Sequence, residues 1–184
     1  MPRPLVWLAV ALAVGGCGMF GGGGAQTEAR RLDCPEIGGT AETSDLRRYR
    51  GAGRDLTDLV VEAKLTAVTG RCEPLERRRE GVRVALAPTI DVMRGPAAPG
   101  RTLTVPYFVA VADPSGRIPA KQVFEIPVEF PANRSRLRLS GEEVTVDLPL
   151  RPGERASDYT VLVGFQLNEE ELATNRRLIA ARPR

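Results

Sequence analysis

Histidine is absent from the 184-residue chain, and its absence removes much of the common catalytic chemistry. Without imidazole there is no Ser-His-Asp or Cys-His pair and no histidine ligand for zinc or iron. Aromatic residues make up only 5% of the chain, and its single tryptophan is Trp7. Because no aromatic stacking platform is visible, nucleic acid is not an expected partner.

The N-terminal apolar run is too short to cross a membrane. It extends from Leu5 to Val14, follows the positive charge of Arg3, and has the length of a signal-peptide core. A membrane-spanning helix needs about 20 apolar residues. Residues 1–16 are therefore predicted to be a signal peptide.

The segment that ends this run resembles the lipobox of bacterial lipoproteins. Two small residues, Gly15 and Gly16, stand directly before Cys17. The resemblance implies that the Cys17 thiol is diacylated and that the new amino terminus is acylated, which gives stable membrane anchoring. The alternative is an ordinary secretory signal cut near Gly16, with Cys17 left as a free thiol. Gly18, in place of an aspartate, favours the outer membrane over the inner one.

Glycine dominates the residues that follow. Residues 17–31 contain four consecutive glycines, Gly21 to Gly24, which leave the backbone free to adopt many conformations. We interpret this stretch as a flexible tether, and a loose terminus without a spacer role is the alternative. Residues 32–184 are predicted to form one domain that is large enough to bury a core without metal ions.

Two further cysteines, Cys34 and Cys72, lie inside the predicted domain. Export would place them in an oxidising compartment, where two cysteines most simply form one disulfide. The alternatives are a metal site and a reactive thiol. Two thiolates without histidine make a poor zinc site, and the chain has no CxxC motif. The sequence therefore predicts a structural disulfide, no metal site and no cofactor.

Apolar and polar residues alternate along most of the chain after residue 57. In the clearest run, Val82, Val84 and Leu86 alternate with polar or small residues, which is typical of a strand with one buried face. The pattern predicts about seven strands, at residues 32–37, 57–69, 82–93, 102–112, 121–130, 143–150 and 158–167. Residues 136–139 either extend the sixth strand or form an extra one. The predicted fold class is all-β, a single antiparallel, immunoglobulin-like β-sandwich; a small closed barrel is the alternative.

Prolines and a C-terminal helix complete the predicted architecture. Pro106, Pro127 and Pro149 lie inside strand-like runs, so they should mark edges, bulges or strand ends, where a missing N–H does no harm. Asn168 followed by Glu171 has the spacing of a capping box. A helix is therefore predicted from Glu169 to Ala180, packed through Leu172 and Ile179.

Carboxylates and arginines are the only chemically notable side chains that form clusters. The acidic candidates are Asp55 with Asp58, Glu142 with Glu143, and residues 169–171. Each also has a structural explanation as a turn, a cap or an exposed face. The basic clusters are residues 77–79, the alternating Arg134, Arg136 and Arg138, and Arg176, Arg177, Arg182 and Arg184. Anionic lipid or glycan would suit them, but ordinary surface charge is the favoured interpretation.

Several segments resemble a family of uncharacterised lipoproteins of alphaproteobacteria. The matching segments are residues 53–58 (GRDLTD), 106–111 (PYFVAV), 163–167 (VGFQL), 171–173 (ELA) and 175–177 (NRR), together with Cys34. The family has no assigned activity, so the resemblance implies an envelope location and a whole domain across residues 32–177, without any catalytic residue.

These observations predict a lipid-anchored cell-envelope protein that is not an enzyme. Its domain is expected to face the periplasm and to bind or scaffold an envelope protein or polymer, with the membrane as its second partner. Two alternatives remain open. One is a carboxylate-dependent hydrolase of envelope glycan, and the other is a carrier for a lipid or hydrophobic substrate.

Overall fold

Nine strands and one α-helix are seen in the computed structural model, which describes residues 33–75 and 80–181. The described residues belong to one compact unit, Leu32–Arg184. The strands are β1 (Glu36–Gly38), β2 (Asp45–Tyr49), β3 (Leu59–Pro74), β4 (Gly81–Arg94), β5 (Thr102–Ala112), β6 (Ala120–Glu129), β7 (Arg136–Ser140), β8 (Val144–Pro149) and β9 (Thr160–Phe165). The helix is α1 (Glu169–Ala180), and short 3-10 helices occupy Ala41–Thr43, Leu56–Asp58 and Ala156–Asp158.

Some sequence predictions fall outside the described residues. These are the signal peptide of residues 1–16, lipidated Cys17 and the tether of residues 17–31, and the arginines Arg77, Arg78, Arg79, Arg182 and Arg184.

The strands form two sheets. The first has the order β1-β9-β5-β6, and the second has the order β2-β3-β4-β7, with β8 also paired to β4. Every neighbouring pair is antiparallel except β1 with β9. The predicted all-β sandwich is confirmed, since the described residues form two open sheets and not a closed barrel. The segment at residues 136–139 is a separate strand, and β2 is an additional one.

Alternating residues of β4, β5 and β9 supply most of the core between the sheets. Full burial of an aliphatic side chain stabilises the folded state by about 1.5–3 kcal/mol, so these strands carry much of the hydrophobic stabilisation. The buried residues of these strands include Val82, Val84, Leu86, Ile90, Val92, Val105, Tyr107, Val109, Val111, Val161, Val163 and Phe165.

A β-bulge in β3 changes which residues face the core. Leu65 pairs with Ile90 and Ala67 pairs with Thr89, so Thr66 is an extra residue. One inserted residue reverses the alternation of a strand. After the bulge the even-numbered residues face inward, and Cys72 packs against the core. β3 stays paired with β4 as far as Pro74, five residues beyond the predicted end at residue 69.

Two of the three prolines lie where the sequence predicted them, but Pro106 lies inside β5, which is paired on both sides. Pro127 is in β6, an edge strand, and Pro149 is the last residue of β8, which among the described strands pairs with β4 alone. Pro106 lies just past the end of the pairing between β5 and β9, and its carbonyl accepts a hydrogen bond from the Gln166 N–H at 3.0 Å.

A fourth proline, Pro88, divides one side of β4 between two strands. β8 pairs with residues 81–86 and β7 with residues 89–93. Pro88 has no N–H to offer, and its carbonyl accepts from the Gly141 N–H at 2.8 Å, where the chain passes from β7 to β8. The proline therefore sits at the one place along this side of β4 where no strand needs its N–H.

Candidate functional site

The two predicted cysteines form a disulfide that joins the sheets. Cys34 lies two residues before β1 of the first sheet, and Cys72 lies in β3 of the second. Their Cα atoms are 6.1 Å apart, a separation typical of disulfides. The predicted structural disulfide is confirmed.

An open groove of about 800 Å³ lies between α1, β2 and the turn at residues 51–54. Its walls carry paired charges. Arg48 Nε donates to Glu171 Oε1 at 3.1 Å, and Arg54 pairs with Glu170. The Arg54 guanidinium also lies 5.4 Å from the centroid of the Tyr49 ring. Arg48 and Arg54 thus already have carboxylate partners on α1.

Helix α1 is fixed at the edge of this groove by a buried amide. Asn175 is 8% exposed, and its side-chain nitrogen donates to the carbonyls of Glu42 at 2.8 Å and Asp45 at 2.7 Å. The predicted capping box of Asn168 and Glu171 is confirmed. Leu172 and Ile179 are half-buried, so the buried contact of the helix is polar. Sequence reasoning missed Asn175, because an asparagine in a helix carries no signal about distant carbonyls.

Replacing Asn175 with alanine should lower the free energy of unfolding by about 1–3 kcal/mol, because two carbonyls lose their donor. Urea denaturation followed by circular dichroism would measure the change. Arg176→Ala is the matched control, since it removes an exposed ion pair to the neighbouring Glu42, worth at most about 1 kcal/mol. Equal losses in the two variants would contradict the assigned role of Asn175.

A second concave region, the β6–β8 cleft, lies between the edge strands of the two sheets. It consists of two adjoining cavities of about 250 and 320 Å³. Both cavities take residues from β5, β6 and the β8 region, and they share Gln122, Phe124 and Thr145. The other lining residues are Tyr107, Val109, Val111, Ala120, Lys121, Glu125, Glu142, Glu143, Val144, Val146 and Asp147.

The floor of the β6–β8 cleft contains two stacked aromatic rings. Tyr107 is 3% exposed, and its ring stacks on Phe124 with centroids 5.3 Å apart. Burial, reinforced by the negative charge of Glu142, raises the pKa of the Tyr107 hydroxyl above its ordinary value. The floor of the cleft is therefore apolar, and acidic residues line the cavity beside Glu142.

Two of the three alternating arginines lie together on β7. Arg136 and Arg138 lie on one exposed face of β7, as predicted, while Arg134 is in the preceding turn. Arg138 Nε donates to Asp91 at 2.6 Å, and this hydrogen bond holds the pKa of that carboxyl below its ordinary value. Arg136 Nε donates to the sulfur of Met93 at 3.2 Å. These contacts indicate cross-strand support of the sheet, which agrees with the surface-charge interpretation.

Most of the candidate carboxylates occupy structural positions. Glu143 forms a two-bond pair with Arg71, which lowers the pKa of the Glu143 carboxyl. Residues 169–171 form the first turn of α1, where negative charge favours the helix dipole. Asp55 directly precedes the 3-10 helix Leu56–Asp58, and Asp58 is the last residue of that helix.

Within residues 33–75 and 80–181, no group of three or more His, Cys, Asp or Glu side chains is placed to hold a metal ion. No helix in this part of the chain is long and apolar enough to cross a membrane.

Comparisons of this chain with protein-family models, with curated proteins and with solved structures give no significant match.

Proposed function

We propose that this chain is a lipid-anchored protein of a bacterial cell envelope whose β-sandwich binds or scaffolds a partner in the periplasm. The observation that carries the proposal is the Cys34–Cys72 disulfide. Structural disulfides form and persist in oxidising compartments and are rare in the cytosol. The disulfide is what a chain exported by the signal peptide of residues 1–16 would form, and the lipobox-like residues before Cys17 support anchoring. Membership in the family of alphaproteobacterial lipoproteins belongs to the same proposal.

The electrostatics of the carboxylates favour binding over glycan hydrolysis. A glycosidase needs one carboxylic acid whose pKa is raised so that it can protonate the leaving group. Where the pKa of a carboxyl group among the described residues departs from its ordinary value, it is lowered and not raised. Hydrogen bonds stabilise the charged form of each of these groups. Their pKa values lie below the ordinary range at Asp33, Asp91, Asp113, Glu143 and Glu154.

The packing of the core favours binding over the transport of a hydrophobic substrate. Large side chains fill the space between the sheets, with Phe130 and Phe165 each 1% exposed. The cavities named above open at the surface and carry charged rims. A surface cleft of this kind suits a partner that lies along the domain more than a lipid enclosed by it.

Cys17→Ser tests the anchor. We expect the variant to move from the membrane fraction to the soluble fraction and to lose radiolabelled palmitate, because serine offers no thiol for the thioether-linked lipid. Cys72→Ser is the matched control, since it removes a cysteine but leaves Cys17 in place, and it should keep the label. Palmitate incorporation by Cys17→Ser at the level of the unmodified chain would overturn the proposed anchoring.

A further inference from the structure

The two edge strands of the β6–β8 cleft each pair on one side only. β6 pairs with β5, and β8 pairs with β4, within the part of the chain that the structure describes. Edge strands present a row of unpaired backbone N–H and C=O groups, which can pair with another extended chain. The cleft between them is therefore flanked by hydrogen-bonding groups as well as by side chains.

The hydrogen bond of Pro106 identifies which backbone groups of β6 are unpaired. The Pro106 carbonyl accepts from Gln166, beside β9, so even-numbered residues of β5 direct their polar groups toward β9. Alternation in antiparallel strands then directs odd-numbered residues of β5 toward β6. Tyr107 pairs with Phe124 and Val109 pairs with Gln122. Even-numbered residues of β6 thus bond to β5, and the odd-numbered ones face the open edge.

The open edge of β6 therefore offers the backbone groups of Lys121, Val123 and Glu125. Pro127, the next residue in this row, has no N–H and closes it. Prolines and charges commonly protect sheet edges from pairing with another chain. In β6 the proline protects only the end of the edge at Pro127. Two of the large apolar side chains that the structure leaves exposed, Ile118 at 47% and Val123 at 49%, lie just before or within this edge.

The charge of the cleft is unequal along its length. The cavity toward the middle of β6 is lined by Glu125, Glu142 and Glu143 and by no basic side chain. Glu143 is paired with Arg71, whereas Glu125 and Glu142 form no ion pair among residues 33–75 and 80–181. A ligand that places a positive charge here would be favoured by charge complementarity.

We infer that the β6–β8 cleft binds an extended polypeptide segment of a partner protein, which pairs with the open edge of β6 at Lys121, Val123 and Glu125. Alternate apolar side chains of the segment would rest on the floor formed by Tyr107, Phe124 and Val144, and a lysine or arginine would meet Glu125 and Glu142. Main-chain hydrogen bonds supply affinity in this mode of recognition, and the side-chain pockets supply specificity. The inference names the partner class of the proposed binding function and rests on it.

The probe is a capped, fluorescein-labelled peptide of about eight residues, with valine and threonine alternating and arginine at both ends. Binding to the full chain, purified in detergent with its disulfide intact, is measured by fluorescence anisotropy. Replacing both arginines with glutamate should weaken binding by about tenfold. Methylating the backbone nitrogens of alternate residues should weaken it by at least about tenfold in one of the two registers, because that register pairs with β6.

Val123→Pro tests the strand pairing from the protein's side. The substitution removes an N–H that faces the open edge and leaves the ladder to β5 intact, so binding should weaken by about tenfold. Val123→Thr keeps the N–H and is the matched control, with an expected change of less than about threefold. The double variant Glu125→Gln/Glu142→Gln should bind the arginine peptide more weakly than the unmodified chain does. Its binding of the glutamate peptide should be no weaker. This second test does not depend on introducing a proline.

Three results would overturn the inference. The first is equal binding of the unmodified peptide and both methylated peptides. The second is unchanged binding by Val123→Pro and by the double glutamine variant. The third is a dimer of the full chain that is broken by Val123→Pro and not by the peptide, which would assign the edge to a second copy. None of these measurements uses the lipid anchor, so the peptide site and the anchoring can fail separately.

Discussion

Replacing Cys72 with serine is expected to lower the free energy of unfolding by about 4 kcal/mol, the largest single effect that the structure predicts outside the aromatic core. The disulfide joins residues 38 apart in sequence, and opening a loop of this length returns considerable entropy to the unfolded chain. Much of β1, β2 and β3 lies inside the loop. Cys34→Ser should lose as much, and the double variant should lose no more than either, because all three remove the same bond.

Guanidinium denaturation of the oxidised and reduced protein would measure this loss. The unmodified chain should also migrate differently on reduced and non-reduced gels, and Cys72→Ser should not. Cys17→Ser is the control, since it removes a cysteine that takes no part in the disulfide. Equal stability of oxidised and reduced protein would contradict the structural role of the bond.

Phe130→Ala is expected to destabilise the fold by about 3–5 kcal/mol through lost burial and the cavity it leaves. Phe130 directly follows β6 and is 1% exposed. Its backbone is held as well, because its N–H donates to the Arg101 carbonyl at 2.9 Å and the Arg101 guanidinium donates back to the Phe130 carbonyl. The neighbouring backbone is thus tied in place, which limits how far it can collapse into the cavity.

Leu56→Ala is the control for this substitution. Leu56 is 76% exposed, so its truncation should change stability by no more than about 0.5 kcal/mol. Thermal or urea unfolding of both variants provides the comparison. A loss below about 1 kcal/mol in Phe130→Ala would mean that the residue is far less buried in solution than the structure shows.

The strands with strict alternation were predictable from sequence, because the apolar residues of each strand mark the face that it buries. β4 and β5 face the core along nearly their whole length, so every second residue is apolar. The Asn168–Glu171 capping box was also predictable, because its two partners lie close together in sequence.

Features that depend on residues distant in sequence have no local pattern that would predict them. β2 buries only Leu46, so its charged sequence shows no alternation, and it exists because β3 offers it a partner. The bulge at Thr66 breaks the alternation inside the strand predicted at residues 57–69, and no pattern in the sequence indicates that β3 continues to Pro74. The bonds from Asn175 to Glu42 and Asp45 join residues more than 100 positions apart.

The β6–β8 cleft also depends on residues that are distant in sequence. Phe124 and Glu125 lie in β6, whereas Glu142 lies in the turn between β7 and β8 of the other sheet. The pattern of β6 alone does not say that its outer edge is unpaired. That fact depends on the order of the strands in both sheets, which local periodicity cannot specify.

The disulfide also determines how mechanical force travels through the domain. Tension that enters the described chain from its N-terminal side reaches Cys34 first, and the covalent bond passes it directly to Cys72 in β3. Residues 35–71 are therefore spared the load, including β1, which is held to β9 over only three residues. In the reduced protein the same tension would act on β1 and peel it from its sheet edge. A domain held at its N-terminus by a membrane would thus resist pulling through a sulfur–sulfur bond and not through its shortest strand.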